Sequence, residues 1–148
     1  MKKSMTYKIE TTLEVGGLRD DNEVIRQYPF VNNIQKGDYE DSDVCYNYAL
    51  NTDEDIGRYG AFKIIQDRFI QIPIKKAQQG DLIVYHDERE GDSYVEHFAI
   101  IQKVNKTLES IIIRSKWGCL GVYETDIFSV PNIYGNRITI WREVNEIS

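Results

Sequence analysis

Cysteine and histidine are scarce in this chain of 148 residues, which contains two of each. Cys45 and Cys119 lack the dense spacing of a disulfide framework, so a small disulfide-stabilised scaffold is excluded. We expect both thiols to be free, as in a reducing compartment, with a single Cys45–Cys119 bridge as the alternative. Neither cysteine forms a chelating pair with His86 or His97, so the sequence predicts no metal and no cofactor.

Long apolar runs and excess positive charge are also missing. The isoleucine run at 111–113 is far too short to cross a membrane, and no apolar stretch follows the first lysines as in a secretory signal. These absences favour a cytoplasmic protein without a membrane partner; export or delivery as an effector is the alternative. A net charge of −6 and a pI near 5.0 argue against a protein that holds nucleic acid by its phosphates.

Proline occurs three times, and the chain has neither a repeat nor a proline-rich linker, so its length predicts a single domain. Within that domain we expect residues 1–40 to form an N-terminal arm and residues 41–148 to carry the chemistry. Residues 7–15 alternate weakly, which indicates an edge strand. Residues 19–43 are polar and predict irregular chain, held to the surface by the side chains of Ile25, Tyr28, Phe30 and Ile34.

Two helices are predicted in the next part of the chain. Ser42 or Asp43 can accept the free amide hydrogen bonds of a first helical turn, and either cap places Cys45 within that turn. A second helix is predicted over residues 60–69, where apolar side chains recur at three- and four-residue spacing.

After Gly80 the pattern changes to that of strands. Short runs rich in isoleucine, valine and aromatic residues occur at 82–85, 98–104, 110–114 and 137–141, with a turn at 105–107. Helices followed by an antiparallel sheet predict an α+β fold.

Cys45 and His97 are the residues best placed for catalysis. A thiolate is the nucleophilic form of cysteine, and the start of a helix lowers the thiol pKa by placing partial positive charge beside it. His97 opens the strand at 98–104, where the backbone would hold the imidazole as a neighbouring base.

Two segments around these residues resemble a known family. Gln79-Gly80-Asp81-Leu82-Ile83-Val84-Tyr85 and Glu96-His97-Phe98-Ala99-Ile100-Ile101 resemble the NlpC/P60 family of papain-like hydrolases, and the likeness covers about residues 41–114. Segments 113–118, 121–123 and 131–135 look like an uncharacterised bacterial branch of the same superfamily. The resemblance implies a papain-like α+β fold, in which N-terminal helices carrying Cys45 pack on an antiparallel sheet carrying His97.

The third catalytic residue of that family has no standard counterpart here. The family places a His, Asn or Gln on the strand after the histidine strand, and this sequence offers Ser115, whose hydroxyl could accept the imidazole N–H. Asp126 is an alternative if the following segment folds back. A permuted branch of the superfamily, which resembles lecithin:retinol acyltransferase, would pair His97 with Cys119 instead, although Cys119 lies between glycines in a predicted turn.

The resemblance implies a cysteine hydrolase that cleaves an amide bond in a peptide, a protein or a peptidoglycan stem peptide. The sequence equally permits deamidation or transglutamination, which share the thioester intermediate. Cys45 would attack the carbonyl and His97 would transfer the proton. The alternative is a papain-like fold without catalysis that acts as a protein-binding or immunity-type module, which the missing third residue and the acidic surface favour. His86 is predicted to be solvated, Trp117 and Tyr123 to pack, and the oligomeric state is left open.

Overall fold

A computed structural model of the chain describes residues 5–15, 20–37, 44–87, 94–105 and 110–144. The helices are α1 (Asp21–Gln27), α2 (Cys45–Leu50) and α3 (Gly57–Arg68). The strands are β1 (Tyr7–Lys8), β2 (Asn32–Gln35), β3 (Phe69–Ile72), β4 (Leu82–His86), β5 (Val95–Lys103), β6 (Ile112–Lys116), β7 (Val122–Asp126) and β8 (Arg137–Glu143). Two 3₁₀ turns span Ile74–Lys76 and Asn132–Tyr134. The fold is α+β, as predicted.

The described strands form one sheet in the order β1-β8-β4-β5-β6-β7-β2, and β3 pairs with β8 beside β1. All of these strand pairs are antiparallel. The strands predicted over 82–85, 98–104, 110–114 and 137–141 are confirmed as β4, β5, β6 and β8. However, β5 begins at Val95, so His97 is its third residue and does not open the strand as expected. The turn predicted at 105–107 lies largely outside the described residues.

Two apolar clusters cover the two faces of this sheet, because successive side chains of a strand point to opposite sides. The smaller one, called here the helix-side cluster, joins α2 and α3 to the sheet. Its buried members are Cys45, Tyr46, Ala61, Ile65, Leu82, Val84, Val95, Phe98 and Trp141. The larger cluster on the other face includes Ile83, Tyr85, Ala99, Ile101, Ile113, Trp117, Tyr123, Ile138 and Ile140. A residue's place in β5 therefore determines which cluster its side chain joins.

The N-terminal segment is more regular than predicted. Residues 19–43 were expected to be irregular, but α1 and β2 lie within them, and β2 forms one edge of the sheet by pairing with β7. The Asp20 side chain caps α1 by accepting the Asn22 N–H at 2.8 Å. Phe30 and Ile34 are 67% and 41% exposed, so they are not anchors. Val24 and Val31 are instead the buried side chains that anchor this segment to the domain.

Other element boundaries also differ from the predictions. The edge strand expected over residues 7–15 is confined to β1, and Leu13 makes only an isolated bridge to Pro131. The second predicted helix is confirmed as α3, but it begins at Gly57 and ends at Arg68. Phe69, expected to close that helix, instead begins β3, whose pairing with β8 was not predicted. Among the described residues, no helix has the length and apolarity needed to cross a membrane.

Candidate functional site

A cleft opens where β5 and β6 separate. Their pairing runs from Lys103 opposite Ile112 to Ile100 opposite Arg114, although both strands continue beyond that point. Helix α2 packs against both strands, and Val44 and Cys45 at its start line the cleft.

This cleft of about 490 Å³ is open to solvent and mostly apolar. Both apolar clusters contribute to it: Cys45 and Tyr46 belong to the helix-side cluster, and Trp117 and Leu120 belong to the larger one. Its lining residues are Val15, Val44, Cys45, Tyr46, Gly57, Arg58, Glu96, Trp117, Gly118, Cys119, Leu120, Pro131, Ile133 and Tyr134.

Cys45 is the first residue of α2, as predicted. The cap is Val44, which has no side-chain oxygen, and the expected caps Ser42 and Asp43 lie outside the described residues. Asn47 holds the turn instead: its Oδ1 accepts the Val44 N–H at 2.9 Å, and its Nδ2 donates to the Thr52 carbonyl at 2.9 Å. The helix ends at Leu50, and its C-cap residue Asn51 adopts the left-handed conformation.

Cys45 is 7% exposed, and this burial raises the pKa of its thiol to about 11. The backbone N–H of Phe98, the N–H of Tyr46 and the charge of Arg58 act in the opposite direction, because each stabilises a thiolate. Desolvation is the larger effect. The expected lowering of the thiol pKa by the helix start is therefore wrong for this conformation.

His97 is fully buried and lies directly opposite Tyr85 in the β4–β5 pairing. Its imidazole therefore points to the larger cluster, whereas Cys45 packs beside Phe98 in the helix-side cluster. The ring stacks on Tyr134, with centroids 3.7 Å apart and planes 3° from parallel. Burial lowers the pKa of His97 to about 3, so the imidazole is neutral at pH 7.

Neither ring nitrogen of His97 has a hydrogen-bond partner among the described residues. The structure therefore does not pair His97 with Cys45 or with Ser115. The Ser115 hydroxyl is buried and accepts the indole N–H of Trp117 at 3.2 Å. Its expected role as the acceptor for the imidazole is wrong in this conformation.

The other predicted residues have structural contacts. Asp126 accepts the N–H groups of Phe128 and Ser129 at 2.8 and 2.9 Å, so its carboxylate holds its own turn. His86 is 2% exposed, with Nε2 2.8 Å from the Thr139 hydroxyl, and its predicted solvation is wrong. This ring is buried because it lies on the helix side of β4, where it meets Phe62 of α3.

Trp117 and Tyr123 pack, as predicted. Their rings are stacked with centroids 4.0 Å apart, and both are buried in the larger cluster. Cys119 is also a free thiol and is half-buried in the cleft wall.

Two residues of the cleft were not identified from the sequence. Tyr134 belongs to one of the segments that carry the family resemblance, but nothing in its spacing indicates a ring contact with His97. Arg58 forms an ion pair with Glu96 at 2.8 Å on the rim, and it has no sequence signal because the two residues lie far apart along the chain.

Among the described residues, no group of three or more His, Cys, Asp or Glu side chains could hold a metal ion. No protein-family model, no curated protein and no solved structure matches the chain.

Proposed function

We propose that the chain is a papain-like cysteine hydrolase that cleaves an amide bond in a peptide, a protein or a peptidoglycan stem peptide. One observation carries the proposal: Cys45 is the first residue of a helix in the wall of an open cleft, beside the backbone N–H groups of the first helical turn. Donors in that position can also stabilise the oxyanion that forms when a thiol attacks a carbonyl.

In the proposed reaction the Cys45 sulfur forms a bond to the carbonyl carbon, and His97 takes the thiol proton. The proton passes to the departing amine as the C–N bond breaks. Water then attacks the thioester, with His97 as base, and releases the acid and the free thiol. The mostly apolar lining of the cleft favours a substrate with an apolar side chain beside the reacting bond.

The resting conformation has the two reacting groups apart. His97 is neutral, lacks a hydrogen bond and is covered by Tyr134, while burial keeps the Cys45 thiol protonated. These observations favour a second candidate, a module of the same fold that binds a protein partner at the cleft without catalysis.

A thiol probe separates the two candidates. We expect a peptide carrying an acyl electrophile and an apolar side chain to label Cys45, and the label to be lost in Cys45→Ser and in His97→Ala. Cys119→Ser is the matched control, because Cys119 lines the same cleft without a helix start. Equal labelling of both cysteines, with no effect of His97→Ala, would leave the binding module as the function.

A further inference from the structure

His97 is an unusual buried residue in this chain. Its side chain has no exposed surface, and both of its ring nitrogens lack partners among the described residues. Buried polar groups in folded proteins are nearly always hydrogen-bonded, since an unpaired group has lost water and gained nothing in return. An unpaired, fully buried imidazole therefore calls for an explanation in what surrounds it.

Tyr134 covers this imidazole. The two rings are parallel at 3.7 Å, and Tyr134 also lines the cleft that contains Cys45. The thiols of Cys45 and Cys119 lie close enough to contribute to the raised pKa of the Tyr134 hydroxyl. The ring of Tyr134 therefore lies between His97 and the space that both cysteines share.

The backbone of Tyr134 is held by hydrogen bonds, whereas its side chain is held by packing alone. The Asn132 N–H donates to the Leu13 carbonyl at 2.8 Å, and the Tyr134 N–H donates to the Pro131 carbonyl at 3.0 Å. Gly135 follows with φ of 102°, and a side chain there would collide with the backbone of His86. By contrast, the Tyr134 hydroxyl makes no hydrogen bond within the described part of the chain, so the ring can rotate without breaking one.

We propose that the Tyr134 side chain is a gate between His97 and the Cys45 cleft. When it is stacked, it separates the imidazole from the cleft; when an occupant of the cleft displaces it, His97 opens onto the same space as Cys45. The gating of the proposed hydrolase rests on the proposed function. The shielding of His97 does not, and it is measured without any substrate.

Carbethoxylation of histidine by diethyl pyrocarbonate, located by mass spectrometry, tests the shielding. We expect His97 to react about tenfold faster in Tyr134→Ala than in the native chain, because its modification then needs no local opening. Tyr134→Phe is the matched control: it keeps the stacked ring, so His97 should stay as slow as in the native chain. Equal rates in the native chain and Tyr134→Ala would overturn the gate.

His86 reports on folding in the same experiment, because it is buried but has a hydrogen-bond partner. If His86 also becomes reactive in Tyr134→Ala, the comparison is repeated with Tyr134→Leu. Leucine keeps apolar volume but cannot stack on the imidazole, and a His97 rate equal to that of the native chain would again overturn the gate.

Alkylation of Cys45 by iodoacetamide separates this proposal from the proposed function. Faster alkylation in Tyr134→Ala, abolished by adding His97→Ala, supports both. A reactive His97 with unchanged Cys45 alkylation supports the gate and contradicts the hydrolase. Iodoacetamide, unlike the peptide probe, does not fill the cleft and leaves the Tyr134 ring in place. Iodoacetamide alkylation of Cys45 that already depends on His97 in the native chain therefore supports the hydrolase and overturns the gate.

Discussion

Asp21 and His97 are both buried and ionisable, but their surroundings are opposite. The Asp21 carboxylate accepts the N–H groups of Gly37 and Gly121 at 2.7 and 2.8 Å and the hydroxyl of Tyr123. His97 is more deeply buried and has no such contact. A buried polar group with its hydrogen bonds made rigidifies the segments that it joins, whereas a buried polar group without them costs stability.

The contacts of Asp21 explain how the N-terminal segment joins the domain. The carboxylate lies at the start of α1 and binds the end of β2 and the loop before β7 together. That approach is close: a side chain at Gly121 would collide with the Gln35 carbonyl, and one at Gly37 with the Cys119 carbonyl. The wall of the cleft that contains Cys119 therefore depends on Asp21.

The largest expected effect is the loss of Asp21. Asp21→Ala leaves the Gly37 and Gly121 N–H groups and the Tyr123 hydroxyl without their acceptor, so we expect a loss of about 4 kcal/mol in the free energy of unfolding. Urea unfolding followed by circular dichroism measures it. The control is the neighbouring Asp20→Ala, which removes only an exposed helix cap and should cost about 1 kcal/mol. Similar losses in both variants would show that the Asp21 contacts are not what holds the segment.

The comparison also shows what could be predicted from the sequence. The runs that became β4, β5, β6 and β8 were recognisable because their strand pattern depends on neighbouring residues alone. The position of Cys45 at a helix start could be predicted for the same reason.

The contacts that decide the site could not be predicted. Asp21 meets Gly121 and Tyr123 about a hundred residues away in sequence, and β2 and β7 pair over a similar separation. Which face of β5 carries His97 depends on this long-range assembly, as does the stack with Tyr134. The thiol pKa was predicted in the wrong direction because the depth of burial, unlike a helix start, leaves no local pattern.

The next expected effect concerns His97 and acid. Because the folded chain holds its pKa at about 3, the unfolded chain binds a proton first as pH falls below the ordinary value of about 6.5. The free energy of unfolding therefore does not depend on this imidazole's protonation above about pH 6.5. By pH 5 it has fallen by about 2 kcal/mol, because the unfolded chain has bound a proton that the folded chain has not. Unfolding curves between pH 8 and pH 5 measure this loss.

His97→Phe should remove that acid dependence, since phenylalanine keeps an aromatic ring but binds no proton. At pH 7 we expect the variant to be within about 1 kcal/mol of the native chain, because the His97 ring makes no hydrogen bond to the described residues that the change could remove. If His97→Phe loses as much free energy of unfolding between pH 8 and pH 5 as the native chain does, other groups cause the acid dependence. His97 would then be accessible to protons in the folded chain.

The smallest expected effect lies on the rim of the cleft, at Arg58. Its ion pair with Glu96 is partly exposed, so Arg58→Ala should change the free energy of unfolding by no more than about 0.5 kcal/mol.

The charge of Arg58 nevertheless lowers the pKa of the Cys45 thiol, and its removal should raise that pKa further. The rate of Cys45 alkylation against pH, measured at low salt because salt screens the charge, should therefore shift to higher pH. Arg58→Lys keeps a positive charge and should shift the profile less. If Arg58→Ala leaves the profile unchanged, the guanidinium does not act on the thiol, and the cleft lacks the cation that a thiolate would need beside it.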